Sequence, residues 1–120
     1  MSPHRLRLRS AIYPVADLDA AKQWYAAWLG IQPYYDTPYY VGFDVGGFEL
    51  GLHPAKDDFQ PNPGGGIPYW KTADLDAEWK DVLARGCTVR SAPNEVGGGV
   101  RVAEALDPFG NTLGLIEERA

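Results

Sequence analysis

Apolar and polar positions alternate in short runs along this chain, broken twice by a helical period. Residues 6–15 alternate as a strand does. Ala21, Trp24, Tyr25 and Trp28 then recur at helical spacing within Ala20 to Leu29. Asp17 stands where an N-cap belongs, Asp19 adds favourable charge to the first turn, and Gly30 supplies a left-handed stop. Ile31 to Asp36, Tyr39 to Val45 and Phe48 to His53 read as three further strands. Gly46-Gly47 forms a two-residue hairpin turn between the last two.

The pattern then repeats. Ile67 to Thr72 reads as a strand, and Asp74 opens a helix to about Arg85 with Leu75, Trp79, Val82 and Leu83 on one face. Gly86 ends it. Cys87 to Ser91, Gly99 to Leu106 and Thr112 to Glu117 follow as strands, the last two joined by the turn Asp107-Pro108-Phe109-Gly110-Asn111. The repetition is literal in places. Ala16-Asp17-Leu18-Asp19-Ala20 recurs as Ala73-Asp74-Leu75-Asp76-Ala77, and Leu50-Gly51-Leu52 recurs as Leu113-Gly114-Leu115. Two landmarks in the same order mark a duplication. The expected class is α+β: two βαβββ modules, residues 6–55 and 67–118, joined by a Pro/Gly-rich linker over 56–66 in a single domain of 1–120. The modules are expected to form a half-open mixed-sheet cleft with helices on the outer face.

Composition narrows the partners. The formal net charge is −5. No Lys/Arg stripe is present, which is a poor match for nucleic acid or an anionic membrane surface. His4, Arg5, Arg7 and Arg9 make the one basic cluster and read as solvated charges at the start of an edge strand. Cys87 is the single cysteine, so no intramolecular disulfide forms, and a reducing, cytoplasmic location is the simplest fit. It has no basic neighbour to activate it and reads as structural. No secretory leader or membrane-length apolar run is apparent. The chain lacks a Gly-x-Ser-x-Gly elbow, and Gly97-Gly98-Gly99 precedes no helix, so it reads as a loop.

Ile12 to Gly30, with Asp17 opening a helix that carries Trp24-Tyr25, resembles the first half of vicinal-oxygen-chelate proteins. This superfamily holds the glyoxalase, bleomycin-resistance and dioxygenase-like proteins. Asp107 to Ile116 resembles its C-terminal signature, and Val96 to Val100 is similar to small members. A ferredoxin-like fold of similar length is the competing architecture. In metal-dependent members each module offers one ligand on its first strand and one on its last. The resemblance places these at Ser10, Gly51, Ile67 and Gly114, which are poor ligands for a divalent metal. No metal and no cofactor are therefore expected.

Strand parity from these four positions puts Ile12, Glu49, His53, Tyr69, Lys71, Thr112 and Ile116 on the cleft side. Tyr13, Val15, Phe48, Leu50, Leu52, Trp70, Leu113 and Leu115 fall on the helix side. The expected ligand-binding residues are Glu49, His53, Tyr69, Lys71, Tyr39 and Arg101, with Gly51 and Gly114 leaving space between them. Arg101 and Glu104 have opposite parity, so at most one of them faces the cleft. Tyr34, Tyr35, Tyr39 and Tyr40 are candidates for an aromatic wall. The resemblance implies a metal-free small-molecule binding protein of the bleomycin-resistance, drug-sequestering kind. Its ligand would be aromatic or cationic, and the chain a homodimer. The alternative is a glyoxalase-like lyase or isomerase using Glu49, His53 or Tyr69 in proton transfer.

Overall fold

The computed structural model describes residues 5–119. Its elements run β1 (Ser10–Val15), α1 (Leu18–Leu29), β2 (Tyr35–Thr37), β3 (Tyr40–Val45), β4 (Phe48–Pro54), β5 (Tyr69–Lys71), α2 (Leu75–Ala84), β6 (Thr88–Gly97), β7 (Val100–Leu106) and β8 (Thr112–Glu118). This is βαβββ used twice. Each copy is a compact unit, Met1–Phe59 and Gln60–Ala120.

In the first unit the strand order is β1-β4-β3-β2, and in the second β5-β8-β7-β6. The first strand of each module pairs in parallel with the last, Ile12 beside Gly51 and Tyr69 beside Gly114. The remaining pairs are antiparallel. A parallel pair needs a crossover, and each helix supplies it.

The repeated pentapeptide produces the same cap twice. Asp17 accepts from the Ala20 N–H at 3.0 Å, and Asp74 from the Ala77 N–H at 3.1 Å. Gly30 ends α1 at φ 71°, the left-handed conformation that a side chain resists. Glu117 on β8 adds a long-range cap to α2, accepting from the Leu75 N–H at 2.7 Å. In the turn before β8, Asp107 accepts from the N–H groups of Phe109 and Asn111.

α1 packs on β3 and β4, and α2 on β6, β7 and β8. Tyr25 of α1 is buried with Tyr13, Val15, Val41, Phe43, Leu50 and Leu52 of the sheet. Leu75 and Val82 of α2 are buried with Ala103, Ala105, Leu113 and Leu115. The expected helix-side set is therefore core, with two exceptions. Trp70 on β5 is only half-buried. Phe48 is 51% exposed at the start of β4, beside the Gly46-Gly47 turn. β1 begins four residues later than its alternation suggested: Leu6 and Leu8 are exposed and unpaired with β4. His4 lies outside the described residues. β6 runs to Gly97, well past Ser91, with register shifts along its pairing to β7.

Candidate functional site

Opposite α1, the sheet of the first module carries a tyrosine–carboxylate cluster. Glu49 on β4 accepts hydrogen bonds from Tyr34 Oη at Oε1 and from Tyr40 Oη at Oε2. Arg9 Nη1 lies 3.4 Å from Oε1, and Arg9 Nη2 donates to the Tyr34 oxygen at 3.3 Å. Arg9 is held there because its carbonyl accepts the Glu49 N–H, extending the β1–β4 ladder by one residue. The Glu49 side chain keeps 12% of its exposure. Donation by Tyr34 and Tyr40, aided by Arg9, outweighs desolvation and holds this carboxyl below the usual carboxylate range. Burial, with the bond to Glu49, raises the Tyr40 phenol. Glu49 is thus ionised, and Tyr40 keeps its proton, at neutral pH.

Two glycines make this cluster possible. A Cβ on Gly42 would lie 3.0 Å from Glu49 Oε1, and one on Gly51 would collide with the end of the Tyr40 side chain. The phenol of Tyr40 therefore crosses the strand at Gly51 to reach Glu49. Tyr35 and His53 flank Tyr40, with ring centroids at 6.1 and 6.5 Å. The far side of His53 meets Phe59 at 5.7 Å. His53 Nδ1 is 2.8 Å from the Pro54 carbonyl oxygen, which can only accept, so Nδ1 carries a proton, and in the neutral ring Nε2 is the acceptor.

The second module builds a similar cluster from different positions. Tyr69, Gly114 and Glu104 stand in one rung across β5, β8 and β7. The Tyr69 ring lies over Gly114 and donates its proton to Glu104 Oε2 at 2.7 Å. Arg90 donates to Oε1 at 3.2 Å. The bond to Glu104, then burial, raises the Tyr69 phenol.

Of the expected site residues, Glu49, His53 and Gly51 are neighbours in the first module, and Tyr69 and Gly114 in the second. The glycines do not leave open space, as their missing side chains had suggested; tyrosine rings fill it. Lys71 projects into solvent beside Glu118 at 3.5 Å, and Tyr39 is 78% exposed at the turn before β3. Arg101 shares the helix-side parity of Ala103 and Ala105 and forms a two-pronged pair with Asp76 of α2, at 3.1 and 3.3 Å. Of Arg101 and Glu104, it is Glu104 that lies on the face opposite α2, bonded to Tyr69 and Arg90. Tyr34 and Tyr40 come from the expected aromatic wall, whereas Arg9, Glu104 and Arg90 complete the clusters from outside the expected binding set. A cross-strand signal did exist for Glu104, because a glycine on the central strand lets a ring reach the strand beyond.

The positions at which the resemblance would place metal ligands do not fit a metal. Gly51 and Gly114 offer no donor and are covered by phenols. Among the described residues no group of three His, Cys, Asp or Glu side chains converges to hold a metal ion. Also among these, no helix is long and apolar enough to cross a membrane.

Two βαβββ modules, each with its final strand inside a mixed sheet, define an α+β protein of glyoxalase type. The chain belongs to the Glyoxalase/Bleomycin resistance protein/Dioxygenase superfamily, whose family profile matches residues 7–115. A superfamily member from Sphaerobacter thermophilus is 26% identical, with a TM-score of 0.76 over 94% of this chain and 98% of that one. A lactoylglutathione lyase from Agrobacterium tumefaciens is 21% identical, with a TM-score of 0.74 over 96% and 95%. A family enzyme from Burkholderia phytofirmans is 18% identical, with a TM-score of 0.79 over 95% and 100%. The last two share the fold. No curated protein sequence matches this one.

Proposed function

We propose that this chain is a metal-independent small-molecule binding protein of the drug-sequestering kind, acting in the cytoplasm as a homodimer. The observation that carries this reading is the saturation of Glu49. Both its oxygens already accept phenolic protons, and Arg9 lies against one of them. A carboxylate held below its ordinary range is a weak proton acceptor, whereas a general base works best with a pKa near the operating pH. Glu49 thus serves to position Tyr34 and Tyr40. Fixed aromatic rings with oriented polar ends are what a binding face needs. The lyase or isomerase alternative rests on His53, whose Nε2 is an acceptor on the same strand.

The test is thermal denaturation with a panel of cationic and aromatic antibiotics, followed by mass spectrometry of the recovered compounds. A binding protein gains about 2.7 kcal/mol at a ligand concentration of about one hundred times Kd, and returns the compound unchanged. Turnover that disappears in His53→Gln would replace this reading with the enzymatic one. Light scattering is expected to give twice the 13.2 kDa chain mass; the single-chain mass at micromolar concentration would remove the homodimer.

A further inference from the structure

A phenol has one proton and two lone pairs, and an ionised carboxylate only accepts. The Tyr40 proton is therefore committed to Glu49 and the Tyr69 proton to Glu104. Each phenolic oxygen then presents only lone pairs to its surroundings. Tyr34 is held in the same way, but its oxygen already receives Arg9. Among the described residues no donor is bonded to the oxygen of Tyr40 or Tyr69. Tyr69 is 43% exposed, and so within reach of a solute.

Two further effects act in the same direction. A carboxylate behind a phenol polarises it and strengthens the oxygen as an acceptor. Ring faces add attraction for positive charge, and in the first module Tyr35 lies beside Tyr40. Arg9 and Arg90 offset the charge of the two carboxylates, but an anion would still meet the lone pairs, the negative end of each phenol. Hydrogen bonds from charged N–H donors are roughly twice as strong as neutral ones.

We propose that the oxygens of Tyr40 and Tyr69 are recognition points, one in each module, that accept hydrogen bonds from cationic N–H groups, ammonium or guanidinium, on a ligand. This rests on the binding function proposed above and names its ligand class. The carboxylates act through the phenols. Glu49 and Glu104 are positioning residues that fix which way each hydroxyl points.

The test uses the full chain with 13C-labelled tyrosine rings, titrated with benzylammonium, benzyl alcohol and benzoate at one ionic strength. Benzylammonium is expected to shift the Tyr40 and Tyr69 ring signals with about tenfold higher affinity than benzyl alcohol. Benzoate is expected to shift neither. Tyr40→Phe and Tyr69→Phe should each weaken benzylammonium about tenfold in their own module.

Glu104→Gln supplies a sharper readout with the shape retained. Arg90 can only donate, so it takes the amide oxygen, and the amide NH2 then faces Tyr69. The phenolic proton turns outward, and the preference at Tyr69 should move from benzylammonium to benzoate. Benzoate binding the wild-type tyrosines as well as benzylammonium, or Glu104→Gln leaving the preference unchanged, would overturn the ligand class while leaving the binding function in place. If none of the three probes shifts either ring, the binding function falls with it.

Discussion

Tyr69 lies so close over Gly114 that a Cβ there would come within 2.5 Å of the ring, and within 2.9 Å of its Cγ. The contact involves ring atoms near the backbone, so no small swing of the side chain clears it. Gly114→Ala must turn Tyr69 to another rotamer and break its bond to Glu104. The expected loss is about 1–3 kcal/mol. Gly51→Ala meets the far end of Tyr40 rather than ring atoms near the backbone, so a smaller turn of the side chain clears it and the cost should be less. Urea unfolding of both variants checks the order. Equal losses would mean that the two rings are held alike.

The face of each final strand sets a second expectation. Leu52 and Leu115 are 0% and 1% exposed beneath their helices, so truncation to Ala should cost roughly 2–5 kcal/mol each. Phe48, half exposed beside its turn, should lose under about 0.5 kcal/mol as Phe48→Ala. Denaturant midpoints distinguish the two groups.

The duplicated caps should behave as a pair. Asp17→Ala and Asp74→Ala each remove one side-chain bond to a first-turn N–H. Each should destabilise its helix by about 1 kcal/mol. A loss confined to one of them would show that the other module tolerates an open helix end.

Acid stability follows from three carboxyls. Tyr34 and Tyr40 lower Glu49, the Leu75 N–H lowers Glu117, and Arg101 lowers Asp76. A carboxyl lowered in the folded state stabilises it fully above the unfolded value, about 4, and that contribution is lost as pH falls through the folded value. The urea midpoint should therefore be flat between about pH 5 and 7 and fall below about pH 4. In Glu49→Gln the difference between acid and neutral midpoints should shrink. An unchanged difference would remove Glu49 from the acid response.

The duplication made most of this fold legible. A pentapeptide with its own cap and a Leu-Gly-Leu late in each half located both helices and both central strands, and the alternation about the glycines separated core from opposite face. The alternation misled at the starts of strands, where context outweighs pattern. Leu6 and Leu8 alternate correctly but have no β4 residue to pair with, and Phe48 has the right parity but is exposed at the first position of its strand. The clusters were harder to read. Parity placed Glu49 and His53, and in the second module Tyr69, on the side of the sheet opposite the helix of their own module. It could not show that Tyr40 crosses Gly51, or that Tyr69 crosses Gly114, because those contacts depend on side-chain direction across strands. An absent Cβ looked like empty space when it was room for a neighbour's ring.

Cys87 is the single thiol in the chain, and it is 5% exposed behind the end of α2. Burial, with Asp107 nearby, pushes it up to about 12, so almost no thiolate exists at neutral pH. Maleimides and disulfide reagents attack the thiolate, and should pass this residue by. The native protein is therefore ready for single-site chemistry without a cysteine-free background. One cysteine placed at exposed Tyr39 would take a fluorophore or spin label alone, at the turn that leads directly into Tyr40.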